Sequence, residues 1–66
     1  MKKYSIVLLK DNTIVAEFDS FVFEYFDILN ANHVEEPSIV RDNKQNRILN
    51  GYDISMRIKI EKLYLT

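Results

Sequence analysis

The sequence predicts a small α+β domain, one unit over residues 1–66. It is expected to hold an antiparallel sheet of four to five strands with one helix packed on one face, in the order β-β-α-β-β with room for a further short strand. Three observations carry this expectation. Two β-rich runs, 4–9 and 13–18, flank the turn pair Asp11-Asn12. From Ser20 the polar residues recur with a helical period. Near the C-terminus Ile54, Met56, Ile58 and Ile60 alternate with Ser55, Arg57, Lys59 and Glu61.

Residues 4–9 and 13–18 are rich in branched and aromatic side chains, which suit a pleated surface. Asp and Asn tolerate positive φ, so a two-residue hairpin turn is expected at Asp11-Asn12. That turn sets Leu9 opposite Ile14 and Val7 opposite Ala16. Val7, Leu9, Ile14, Ala16 and Phe18 then share the core face, and Tyr4, Ile6, Leu8 and Val15 share the other. Both faces are largely apolar, whereas a hairpin with one wet face alternates more cleanly. Both are therefore expected to be covered.

The stretch 20–32 first looks like a strand of alternating aromatics, but that would bury Glu24. As a helix it places Ser20, Glu24, Asp27 and Ala31 in one polar stripe and centres Val22, Tyr25, Phe26 and Leu29 on the opposite side. Asp19 or Ser20 can cap it, and His33 suits its C-terminal end. Phe23 falls at the border of the polar stripe, the aromatic furthest from the core. Residues 33–37 read as a loop, with Pro37 forcing Glu36 into an extended conformation. Segments 38–41 and 47–49 read as short strands around the polar turn 42–46. A single helix over 37–49 is the alternative, disfavoured by the scarcity of good helix formers in its middle. Asn50-Gly51 signals a turn. Residues 54–61 then read as an amphipathic strand. The alternation breaks at Lys62, so Leu63, Tyr64 and Leu65 follow either a bulge or a departure from the sheet.

Composition limits the functions open to the chain. There is no Cys, which removes disulfides and thiolate metal sites, and the single His cannot make a zinc site alone. No cofactor is expected. The lack of Cys fits a reducing, cytoplasmic setting. The apolar run 6–9 behind Lys2 and Lys3 is too short for a secretory signal or a membrane span. Net charge is −1, so nothing draws the chain globally toward nucleic acid. The charges are segregated: residues 11–36 hold seven acids and no Lys or Arg, while 41–66 hold six bases and three acids. These elements can pair within the fold, or present an acidic surface to a basic partner.

Chemistry finds little support. The only glycine is Gly51, so neither a dinucleotide fingerprint nor a P-loop can form. Four serines share one His, and none sits in a recognisable nucleophile elbow. Glu35 and Glu36 beside His33 suit solvent better than a cation site. The chain is expected not to be an enzyme and to hold no catalytic residue.

What remains is apolar surface in excess of what one helix can cover. Tyr4, Ile6, Leu8, Val15, Leu63, Tyr64 and Leu65 are the expected self-association residues. Phe23 with Glu24 and Asp27 is the expected docking surface, an aromatic anchor with a polar rim. The expected function is a non-enzymatic protein-binding module that forms a homo-oligomer. In size, composition and lack of catalytic groups it looks like the small accessory proteins of phages and mobile elements, many of which block a host defence protein. One alternative is an oligomer that sequesters a small molecule or nucleotide with Arg47, Arg57 or Lys59. Another is a nucleic-acid-binding regulator using the same bases.

Overall fold

The structure is a computed structural model that describes residues 1–32 and 37–65. The expectations for His33, Glu35 and Glu36 lie outside the described residues. Strands β1 (Tyr4–Leu8), β2 (Ile14–Phe18), β3 (Ser38–Asp42) and β4 (Arg47–Leu49) form one antiparallel sheet in the order β2-β1-β3-β4. A π-helical turn, Phe21–Tyr25, leads into α1 (Phe26–Asn32) between β2 and β3, and α2 (Gly51–Leu65) closes the described chain. The α+β class, the four-stranded antiparallel sheet and the order β-β-helix-β-β follow the expectation. The last element is a correction: residues 54–61 are helical.

The cause sits at the start of α2. The Asn50 side chain accepts from the Asp53 N–H at 2.8 Å, and the Asp53 carboxylate accepts from the Asn50 N–H at 3.2 Å. This reciprocal cap satisfies two donors that a helix N-terminus leaves open. Asn50-Gly51 therefore starts a helix where a hairpin turn was expected. The alternation of Ile54, Met56, Ile58 and Ile60 arises because residues two apart on a helix point to opposite sides. Ile54 and Ile58 pack on the core, while Met56 and Ile60 face solvent.

The hairpin carries the second correction. Tyr4 pairs with Phe18, Ser5 with Glu17 and Ile6 with Ala16, one residue out of the expected register. Such a slip turns the side chains of one strand over relative to its partner: those of β1 change face, while Ala16 and Phe18 of β2 keep to the core. The loop causes it. Leu8 N–H donates to the Thr13 carbonyl (3.0 Å) and Asn12 N–H to the Leu8 carbonyl (2.9 Å), so four residues make the connection. Asp11 accepts from the Thr13 N–H at 3.1 Å, and Asn12 takes the left-handed conformation at φ 62°. A bulge then skips Val15, so that Val7 pairs with Ile14. Tyr4 and Ile6 consequently lie in the core, and Leu9 and Ile14 are exposed on the far side.

The core is an aromatic cluster roofed by both helices on one sheet face. Phe18 and Phe21 are fully buried, and Tyr4, Phe21 and Tyr25 surround Phe18 at ring-centroid distances of 4.9–5.3 Å in stacked, tilted and edge-on contacts. Ile6, Val40 and Leu49 complete it, with Ala16, Ile28, Leu29, Ile54 and Ile58 packed around. The helix expected over 20–32 is present, but its first turn is π-helical: both Glu24 N–H and Tyr25 N–H donate to the Ser20 carbonyl. The wider turn brings Phe21 to the centre of the buried side. Phe26, expected there, is half exposed and touches Tyr25 edge-on.

Candidate protein-binding surface

The first helical turn and the end of α2 are tied together by side chains. Ser20 caps its helix by accepting from the Phe23 N–H at 3.1 Å. Its hydroxyl donates to Glu61 Oε1 at 2.7 Å, and the same carboxylate accepts from the Phe21 N–H at 3.1 and 2.9 Å. Glu61 is thus an anion seated at the positive end of another helix. Glu24 reaches back to accept from the N–H groups of Asp19 and Ser20. Those two N–H groups hold its carboxyl below the usual range. Asp19 accepts from the Lys3 N–H at 2.9 Å, which likewise lowers its pKa, with Lys2 adding to the effect at 3.6 Å.

This network fixes the walls of a groove of about 390 Å³. Phe23 stands on one side, Tyr64 and Leu65 on the other, and Lys3, Asp19 and Glu61 line the floor and rim. The three apolar side chains are 64%, 87% and 52% exposed. The residue expected to dock a partner and two of those expected to self-associate therefore share one site. Leu63 is also exposed, on the outer side of α2. Of the other docking residues, Asp27 faces solvent but Glu24 is committed to the helix cap. Of the other self-association residues, Val15 is exposed at the bulge and Leu8 is half-buried. Tyr4 and Ile6, 9% and 1% exposed, cannot form that surface.

The groove continues into a feature that the sequence reading missed. Tyr52, Met56, Ile60 and Leu63 recur at helical spacing along the solvent side of α2 and are all exposed. Tyr64 lies one turn beyond Ile60 and joins this ridge to the groove. The signal was present as an i, i+4, i+8, i+11 pattern, but a strand assignment hides it.

The three bases do not converge. Arg57 donates to Asp42 at 2.7 Å, to the Tyr4 hydroxyl at 3.1 Å and to Gln45 at 3.4 Å, and its guanidinium lies 5.8 Å from the centre of the Tyr4 ring. Burial pushes the Asp42 carboxyl up, but the Gln45 N–H, the Arg57 guanidinium and the Lys44 N–H more than offset it, leaving its pKa below the ordinary value. Asp42 in turn raises the Arg57 pKa. Arg47 pairs with Asp53 at 3.0 Å beside the cap of α2. Lys59 is two residues from Arg57, so on a helix the two project to opposite sides rather than from one strand face. A second cleft of about 270 Å³ gathers Lys3, Lys44 and Arg57, but Asp42 already neutralises Arg57 there.

Among the described residues, no cluster of His, Asp or Glu could hold a metal ion, and no helix is long and apolar enough to cross a membrane. Comparison with protein-family models, curated proteins and solved structures yields no match.

Proposed function

We propose that the chain is a non-enzymatic protein-binding module that receives its partner in the groove between Phe23 and Tyr64 and along the outer ridge of α2. One observation carries the reading. Aromatic and aliphatic side chains from two helices are exposed side by side, around a groove whose walls are locked by hydrogen bonds to buried or half-buried groups. Interface hot spots combine such a rigid aromatic anchor with a polar rim. Lys3 and Asp19 supply a rim of both signs, which suits a peptide or protein segment better than a uniformly charged polymer.

The narrower reading is a phage or mobile-element inhibitor that acts in a reducing cytoplasm by covering a host defence protein. It adds the expectation that the captured protein loses activity as the groove is filled. The test is affinity capture from a host lysate with the wild type and with Phe23→Ser and Tyr64→Ser. A dominant captured protein should be lost with both variants and kept with Lys44→Ser, which lies outside the groove. Equal recovery by all four proteins would remove the groove from the binding surface.

A further inference from the structure

The surface of a helix is built of rows of side chains four residues apart. On α2 one such row, with Ile54 and Ile58, packs on the core. A second holds Asp53, Arg57 and Glu61 and is tied to the rest of the chain. Asp53 pairs with Arg47, Arg57 with Asp42, and Glu61 accepts from Ser20 and the Phe21 N–H. The row that points away from the core is Tyr52, Met56, Ile60 and Tyr64, which are 73%, 38%, 46% and 87% exposed. Beside it runs a fourth row with Ser55, Lys59 and Leu63, all exposed. The furrow between these last two rows opens to solvent, with small Ser55 and then Lys59 along its far edge. Lys62 stands one turn beyond Lys59 on the same flank. Neither lysine makes a salt bridge among the described residues.

We infer that the partner segment seated on α2 is itself an amphipathic α-helix with an acidic flank, lying in this furrow and setting its acids against Lys59 and Lys62. Shape selects the helix. An exposed row of large apolar side chains beside an open furrow is the surface that a row of another helix packs into, with the two axes crossing at about 50°. The row from Tyr52 to Tyr64 extends roughly 18 Å along the axis, enough for the full contact length of such a crossing. Ser55 lets the incoming row approach the α2 backbone closely. Charge selects the flank. On the other edge of the apolar row, the charges of Asp53, Arg57 and Glu61 are already matched within the fold, so the unmatched charge is positive and lies on the furrow side. A second copy of this chain does not supply the acids. Two α2 helices related by a two-fold axis and running antiparallel set Lys59 beside Lys59 of the second copy. Running parallel, they set it beside the row of Asp53 and Glu61, whose carboxylates are already bonded to Arg47 and to Ser20 and Phe21.

The acidic helix gives the protein-binding reading above, on which it rests, a partner of definite form. Its apolar positions recur at helical spacing and its Asp or Glu residues line one side. The furrow alone is a small contact, below the roughly 800 Å² per partner of a standard interface, so an isolated helix is expected to bind in the micromolar range. A partner that continues past Tyr64 into the Phe23 groove gains the remainder.

The test is selection of random peptides of about 16 residues, displayed on yeast, against the immobilised chain. Enriched sequences should repeat apolar residues three and four apart and carry Asp or Glu on one flank. The best of them, made synthetically, should gain helical circular dichroism on binding. Lys59→Glu should weaken its binding by roughly threefold to tenfold, because like charges then meet. A peptide with its flanking acids changed to lysine should recover that loss on the Lys59→Glu chain. Lys44→Glu, the same change of charge away from α2, should leave binding as it is. Enriched peptides without a helical period, peptides with basic flanks, binding unmoved by Lys59→Glu, or no enrichment at all would each overturn the inference. So would light scattering that shows the chain self-associating in a way that Met56→Lys abolishes, since a second copy would then occupy α2. Peptides that require Phe23 and Tyr64 but ignore both Lys59→Glu and Met56→Lys would overturn the helix and keep the groove, so the two readings fail separately.

Discussion

Ile54 and Ile58 on one side of α2, and Met56 and Ile60 on the other, are neighbours in sequence and face opposite environments. The first pair packs on the aromatic cluster, while the second is 38% and 46% exposed. Side chains of almost equal hydrophobicity have been assigned to different tasks by a helix that is apolar on both sides. The inner side anchors α2 through Ile54, Ile58, Arg57 and Glu61. The outer side is left for contact. A helix of this kind has no strong amphipathic signature, because its two apolar stripes oppose each other. The contrast predicts that inner-side changes are paid in stability and outer-side changes in binding.

The largest effect should come from the floor on which the inner side rests. Phe21 is fully buried among Tyr4, Phe18 and Tyr25, so Phe21→Ala should cost about 3–5 kcal/mol, read as a fall in the urea midpoint. In a domain of this size that approaches the whole stability. A loss below about 1 kcal/mol would mean that the cluster repacks and that α2 does not depend on it.

Next is the clip at the end of α2. Glu61→Ala leaves the Phe21 N–H and the Ser20 hydroxyl without their acceptor, which should cost about 1–3 kcal/mol. Glu61→Gln keeps one acceptor oxygen and should lose less. The same pair of variants sharpens the comparison in function, because Glu61 also walls the groove. Partner capture should fall with Glu61→Ala even where the protein remains folded.

The Arg57–Asp42 contact sets the acid limb of stability. The folded pKa of Asp42 is held below its unfolded value of about 3.9. The folded state therefore binds fewer protons than the unfolded state as that range is crossed. The stabilisation is complete above about pH 4 and is lost as pH falls through the depressed folded pKa. Arg57→Met keeps the packing of the stem but removes the charge. It should destabilise by about 1–3 kcal/mol near neutral pH, since Asp42 is 5% exposed and would be left with only the Lys44 and Gln45 N–H groups. It should also flatten the pH dependence below pH 4. Parallel wild-type and variant curves in that range would assign the acid limb elsewhere.

These particulars also show what could be read from the residues and what could not. The strands around Val7, Val15, Val40 and Ile48 and the capped helix at Ser20 were legible, because local propensity and the final structure agree there. Three things were hidden. The Asn50–Asp53 cap looks like a turn until its reciprocal bonds are seen. The hairpin register depends on an Asp11–Thr13 bond and a bulge at Val15, and a single residue decides which face is buried. The groove is tertiary: Phe23 and Tyr64 were each conspicuous, but their meeting depends on Glu61, whose partners lie about 40 residues away. Excess apolar surface was correctly inferred, while Tyr4 and Ile6 were placed on the wrong side of the sheet by the same slip.

The smallest stability effect should give the sharpest separation. Met56→Lys and Ile60→Lys place charges on an exposed helix surface that already carries Ser55, Lys59 and Lys62. Lysine is a good helix former, and its stem can lie along the ridge while the ammonium stays in water. Each should therefore change stability by no more than about 0.5 kcal/mol. Partner capture should drop by at least roughly tenfold, because a desolvated contact must now bury an unpaired charge. If both variants bind as well as the wild type, the outer ridge is a bystander and the contact is confined to Phe23, Tyr64 and Leu65. If instead they unfold the chain, the outer side of α2 supports the fold, and the division of labour between its two sides does not exist.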